Sequence, residues 1–255
     1  MNYLVSAATD VGLVKDVNQD SFGVKILDTK LGTILVAVLC DGMGGYSSGE
    51  IASATVVDAF NKWMINRLPI LCETGISDQV IKSEWGRLVQ KCNDKIKKYG
   101  ELHNISLGTT LTAIMLTETR WFIVNVGDSR VYSIHDQVKV LTKDQTVVAQ
   151  EVELGKLTEE QAKTDPRRSV LLQCIGVSGV VMPDHFTGTL TKDTVYMLCS
   201  DGFRHEISNE EMMQYLRPDV MTNENQMKDN MDELVELNKS RKEKDNITVI
   251  SIRTY

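Results

Sequence analysis

The chain has little proline, few aromatics and no surplus of positive charge. Only 4 of its 255 residues are Pro and 6% are aromatic, which excludes a collagenous or proline-rich extended chain. Lys and Arg number 28 against 35 Asp and Glu, a formal net charge of −7. No global positive field is available to hold a nucleic acid or an anionic membrane, and no basic face studded with aromatics offers a substitute. No apolar run approaches the roughly 18 residues that a bilayer requires. The start, Met1-Asn2-Tyr3-Leu4-Val5, lacks the basic segment and long apolar stretch of an export signal. The expectation is a cytoplasmic chain with no membrane span.

Thiol and imidazole chemistry is also sparse. The five cysteines (Cys40, Cys72, Cys92, Cys174, Cys199) are an odd number without a CxxC pair, and Cys40 and Cys199 lie in apolar runs. That usage fits buried thiols in a reducing compartment and excludes a disulfide framework. The four histidines (His103, His135, His185, His205) are scattered, with no HExxH or paired spacing, so zinc is a poor expectation.

What the chain does have is strand-length apolar runs. They cover 3–9, 21–27, 33–40, 110–117, 121–126, 131–135, 138–141, 180–190, 195–199 and 247–252. Short polar connections such as Asp28-Thr29-Lys30-Leu31-Gly32 and Glu118-Thr119-Arg120 are of hairpin length and predict antiparallel pairing. Helical spacing appears in Ala52, Val56, Ala59, Phe60 and Trp63. It returns after Pro69 in Ile81, Trp85, Leu88, Cys92 and Tyr99, and near the C-terminus in Met227, Met231 and Leu234. The Trp and Met residues read as core. This order lacks the βαβα alternation of a parallel sheet and predicts an α+β layered sandwich in a single domain, 1–255. The polar segment at about 144–168, with a helix start at Thr158-Glu159-Glu160-Gln161, reads as a surface flap.

Five aspartates mark strand ends. Asp20 precedes the run 21–27 and Asp41 follows the run 33–40, so a hairpin sets the two side by side. Asp128 stands in Gly127-Asp128-Ser129-Arg130, Asp201 in Ser200-Asp201-Gly202, and Asp245 just before the last strand. Each alone also reads as turn chemistry or a plain loop. Gathered at one rim of antiparallel sheets, they would repel one another, and protons or a cation must offset their charge. Oxygen-only donors favour a hard ion, Mg²⁺ or Mn²⁺, with Ca²⁺ a further candidate.

Six motifs in order then carry a resemblance. They are Gly12-Leu13-Val14-Lys15-Asp16-Val17-Asn18-Gln19-Asp20, Asp41-Gly42-Met43-Gly44-Gly45 with Gly49-Glu50, Gly108-Thr109-Thr110, Gly127-Asp128-Ser129-Arg130, Ser200-Asp201-Gly202 and Asp245-Asn246-Ile247-Thr248. From about residue 6 to 252 the chain resembles the PPM family, the metal-dependent type 2C serine/threonine protein phosphatases, in its compact bacterial form. The resemblance implies a four-layer αββα sandwich of two mostly antiparallel sheets, with a two-metal cleft holding Mn²⁺ or Mg²⁺. It assigns Asp41 as the bridging ligand, the Gly42 carbonyl to one ion, Asp201 and Asp245 to the other, and Asp20 to a metal-held water. Asp128 joins Asp201 at a third, weaker site.

The same resemblance implies in-line attack on phosphorus by a hydroxide held between ions roughly 3.5–4 Å apart, and no Cys-x5-Arg nucleophile loop is present. Lys15 stands where the family grips phosphate with Arg, which keeps the charge and loses the bidentate fork. Met43 stands where some members carry a His, which leaves protonation of the leaving group to water. Arg167 and Arg168, beside the flap, read either as phosphopeptide contacts or as solvated side chains. The implied partners are phosphoproteins, those of a cognate serine/threonine kinase, acted on by a monomer. A phosphatase-like module that binds and regulates without turnover is the alternative, and only Lys15 leans toward it. A phosphoesterase for nucleotides or nucleic acid is disfavoured by the acidic balance.

Overall fold

The structure, a computed structural model, describes residues 1–44 and 48–255. Its eleven described strands form two sheets. One has the order β1 (Tyr3–Asp10), β11 (Ile247–Thr254), β10 (Thr194–Cys199), β7 (Arg130–Ile134) and β8 (Val138–Val140). The other runs β2 (Asp20–Thr29), β3 (Gly32–Gly44), β5 (Leu111–Leu116), β6 (Arg120–Val126) and β9 (Asp184–Thr189), with β4 (Leu107–Thr109) paired to the end of β3. Every pairing among these strands is antiparallel, as the short connections predicted.

Side-chain alternation along the strands separates the layers. In β3, Leu35, Ala37 and Leu39 face the second sheet and pack with Tyr196, Leu198, Ile250 and Ile252. Their neighbours Ile34, Val36, Val38 and Cys40 face outward against helices α1 (Gly49–Asn66) and α3 (Asp78–His103) through Phe60, Trp63 and Trp85. The other sheet repeats the arrangement. Val195, Met197, Cys199, Ile247 and Val249 point out to Met227, Met231 and Leu234 of α8 (Glu224–Ser240). A strand buried on both faces must be apolar at every position, which is why residues 34–40 form one continuous run without alternation. The result is two antiparallel sheets between helical layers, the expected α+β sandwich.

Several boundaries differ from the sequence reading. β3 does not end at Cys40 but continues to Gly44, because β4 supplies partners for Gly42, Met43 and Gly44. Asp41 therefore sits inside a strand. The run 110–117 is broken at Thr110, whose N–H turns to the Asp41 carbonyl at 2.9 Å. The run 180–190 is extended only over Asp184–Thr189. Pro69 does not simply break the chain but lies in the first turn of α2 (Leu68–Thr74), where its missing N–H costs no hydrogen bond.

After β10 come two unpredicted helices, α6 (Asp201–Arg204) and α7 (Asn209–Leu216), too short to show a period. The polar segment at about 144–168 carries α4 (Val147–Glu153) and α5 (Glu159–Thr164), the latter opened by a Thr158–Gln161 capping box. Arg167, read from sequence as a phosphopeptide contact or a solvated side chain, is half exposed and ion-paired within its own segment. It pairs with Glu151 and Asp165, each at 2.8 Å, and ties this segment to itself.

Candidate active site

The β2–β3 hairpin sets the first pair of carboxylates. Asp20 is directly opposite Asp41 in its register, so the two share one end of the sheet. Around Asp41 the backbone is locked. Its N–H donates to the Thr110 hydroxyl at 2.9 Å, and its carbonyl accepts from the Thr110 N–H and the Thr109 hydroxyl, each at 2.9 Å. At Gly42 the chains approach so closely that a Cβ would lie 2.3 Å from the Gly49 carbonyl oxygen and 2.5 Å from that of Gln19. Only glycine fits there.

The second sheet brings Asp201 and Asp245 to the same end. Ser200 and Thr248 clasp β10 and β11: the Ser200 N–H donates to the Thr248 carbonyl and the Thr248 N–H donates to the Ser200 hydroxyl, both at 3.0 Å. Asn246 fastens the β1–β2 loop across this end. Its amide donates to the carbonyls of Val11 and Val17 at 2.9 and 3.1 Å, and its oxygen accepts from the Gln19 N–H at 2.9 Å. Gly12, at φ +79°, passes so near that a Cβ would lie 2.3 Å from the Asp245 carbonyl oxygen. That loop carries Lys15, whose Nζ lies 3.0 Å from Asp245 Oδ1.

Electrostatics confirm that the aspartates feel one another. Burial, reinforced by Asp20, Asp201, Asp128 and Asp245, pushes the Asp41 carboxyl well above the usual range. For Asp20 burial is again the main cause. The nearby hydroxyls of Thr248 and Ser200 pull the other way although neither makes a hydrogen bond to the carboxylate, Asp201 and Asp245 add to the rise, and the group is pushed up to about 7. Asp128 also rises to about 7, through burial and Asp201, against the pull of Arg204. Burial works to lower the Lys15 pKa, but the hydrogen bond to Asp245 and the fields of Asp245, Asp41 and Asp201 outweigh it, so the ammonium is held more firmly.

These carboxylates fit hard divalent cations. Both oxygens of Asp20 and Oδ1 of Asp201 are buried with no hydrogen-bond partner, a costly state for an anion unless a cation or proton meets it. All the donors are oxygens, the set that Mg²⁺ and Mn²⁺ prefer. Among the described residues no group of three His, Cys, Asp or Glu side chains converges closely enough to chelate one ion unaided. Ions here must complete their shells with water and backbone oxygen, as small hard ions commonly do.

Several residues around the site escaped the sequence reading. His205, one turn after Asp201, lies 3.6 Å from Asp201 Oδ2 and 3.3 Å from Glu243 Oε2. Glu243 Oε1 accepts from the N–H groups of Lys244 and Asp245 at 2.6 and 2.9 Å and so shapes the turn that presents Asp245. Burial works against its charge, yet His205 and those N–H groups bring Glu243 down to about 2. Arg204 lies 3.5 Å from Asp128 Oδ2 and 3.3 Å from Asp144 Oδ2, and Arg130 grips Asp144 at 2.7 and 2.8 Å. The visible signal was a cation, Arg204, directly after the Ser200-Asp201-Gly202-Phe203 motif. Gly45-Tyr46-Ser47-Ser48-Gly49 matches a serine nucleophile elbow, but Gly45, Tyr46 and Ser47 lie outside the described residues, and an antiparallel sheet is not the elbow's context.

A layered α+β fold with buried carboxylates gathered at one end of its sheets defines a class of site suited to hard divalent cations. The profile of the family described as Protein phosphatase 2C matches residues 14–237. A "Putative protein phosphatase 2C-type" of Streptococcus pyogenes is 33% identical over 248 residues, covering 96% of this chain and 95% of that protein. The serine/threonine phosphatase of S. agalactiae superposes with a TM-score of 0.85 at 28% identity, covering 100% of both chains. The catalytic domain of the serine/threonine protein phosphatase PstP in complex with 2 manganese ions does so with a TM-score of 0.77 at 27% identity, covering 99% of each. The chain belongs to the protein phosphatase 2C family and is a serine/threonine protein phosphatase of that type.

Proposed function

We propose that this phosphatase removes phosphate from phosphoserine and phosphothreonine in proteins, using two divalent ions, Mn²⁺ or Mg²⁺, held at the end of the two sheets. The observation that carries the reading is Asp20 opposite Asp41, with Asp201 in reach and with carboxylate oxygens buried and unpartnered. Asp41, the Gly42 carbonyl, Asp201 and Asp245 would hold the ions. Asp20 would act through water. Bound ions supply Lewis acidity and a water acidic enough to attack phosphorus near neutral pH. The chain's own residues hold the reactants. Lys15, on the loop pinned by Asn246, would offer its ammonium to the phosphoryl oxygens. Met43 has no proton to give, so the leaving oxygen takes its proton from water in the cleft.

The partners follow from the same reading: phosphoproteins of the chain's own cell, charged by a serine/threonine kinase that this enzyme opposes. Among the described residues no helix is long and apolar enough to cross a membrane, and the five thiols are buried and free. Both suit a cytosolic setting. The test is hydrolysis of para-nitrophenyl phosphate and of a phosphothreonine peptide by the purified chain with Mn²⁺. Turnover abolished by EDTA is expected. Absence of EDTA-sensitive turnover would reject the proposal and favour the regulatory module.

A further inference from the structure

Charge compensation divides the acidic cleft into two unlike ends. At Asp20 both carboxylate oxygens are buried with no hydrogen-bond partner. At Asp128 the compensating charge is built in. Arg204 Nη2 donates to the Asp128 backbone carbonyl at 3.1 Å, lies 3.5 Å from Asp128 Oδ2, and donates to Asp144 Oδ2 at 3.3 Å. The side chains of Arg204, Asp128 and Asp144 are only 12%, 6% and 13% exposed, so solvent screens these contacts weakly. Both oxygens of Asp144 are also taken by Arg130 in a bidentate pair. Two guanidiniums thus face two carboxylates, so each carboxylate meets a positive charge without an ion.

We infer that Arg204 is the cation of the Asp128 end of the cleft, standing where a divalent ion would otherwise sit, so that Asp128 is not a metal ligand. The inference rests on the two-ion reading above and limits it: the third site expected from sequence at Asp128 and Asp201 is filled by a side chain. A dication brought to Asp128 must displace Arg204 or lie beside a fixed positive charge that repels it. Arg204 is thereby a positioning residue. It joins Asp128 to Asp144, where the polar segment at 144–168 begins, and ties the base of that segment to the site at every metal concentration.

The experiment counts bound Mn²⁺ through the electron paramagnetic resonance signal of the free ion, on the full-length chain stripped of metal and titrated. Wild type and Asp128→Asn should bind the same number of ions. Arg204→Ala should gain one weak ion, and Arg204→Ala with Asp128→Asn should lose it again. Arg204→Lys, which keeps the charge, should gain none. A wild-type ion that disappears in Asp128→Asn overturns the inference, and that comparison stands even where Arg204→Ala does not fold. A folded Arg204→Ala that gains no ion overturns it equally. Absence of any bound Mn²⁺ in wild type would instead sink the two-ion reading on which it rests.

Discussion

Replacing Asp20 by Asn should stabilise the metal-free protein at neutral and higher pH while weakening its hold on Mn²⁺. The Asp20 carboxyl is pushed from 3.8 to about 7 in the fold. Between about pH 4 and about 7 the native state keeps a proton that the unfolded chain has released, so stability falls as pH rises through that window and the loss is complete above it. At ~1.36 kcal/mol per unit the ceiling is about 4 kcal/mol, and sharing with Asp201 and Asp245 places the expected effect at about 2–4 kcal/mol. The amide of the variant cannot titrate. In EDTA, the stability of Asp20→Asn relative to wild type should therefore grow by that amount from pH 4 to pH 8, a widening of about 5–15 °C in Tm for a domain of this size.

His185, brought down to about 4 mainly by burial, costs stability in the opposite direction, as pH falls from its ordinary value. It is common to both proteins and cancels in the difference. The assay is a pair of thermal melts across pH, repeated with saturating Mn²⁺. Because Mn²⁺ binds the folded state, it should raise wild-type stability most where the carboxylates are ionised, by about 2.7 kcal/mol at 100 times Kd. A gap that stays flat or narrows between pH 4 and pH 8 in EDTA would refute the reasoning.

Asp201→Asn should remove Mn²⁺ binding and turnover together, by more than the roughly 10–100-fold typical of changes to residues that only support metal ligands. Calorimetric binding that survives while activity is lost would break that link. Lys15→Arg restores a two-pronged grip and should lower KM for a phosphopeptide by about 10-fold, the ~1.4 kcal/mol of one added charge-assisted hydrogen bond. Unchanged KM and unchanged inhibition by inorganic phosphate would count against a phosphate contact at Lys15. Gly42→Ala places a Cβ 2.3 Å from the Gly49 carbonyl oxygen and should cost about 3 kcal/mol, the upper end for overpacking. Urea denaturation measures it, and a neutral result would show that β3 and α1 can move apart.

The sandwich was legible because its signals are local. Residues 34–40 form an unbroken apolar run because both faces of β3 are covered, and a short polar turn allowed only an antiparallel hairpin. The same turn length fixes register, so Asp20 opposite Asp41 followed from counting. Other features had no local signal. Helix α6 is one turn long, and Thr110 leaves the strand because a carbonyl of another strand needs its N–H. Arg167 was ambiguous in sequence because nothing along the chain shows Glu151 and Asp165 folding back onto it.

The sparse positive charge from which the chain was first read now has a specific meaning. By itself the sequence determined the layer order, the acidic strand ends and the family motifs, since side-chain periodicity, turn length and residue order are properties of neighbouring positions. It did not determine which carboxylates would be left without a counter-charge. Lys15 reaches Asp245 and Arg204 reaches Asp128 and Asp144 across long stretches of chain, while Asp20 and Asp201 keep orphaned oxygens. Tertiary packing alone decided that distribution, because Coulomb interactions in a buried cleft depend on distances of a few ångströms between residues that the chain keeps far apart.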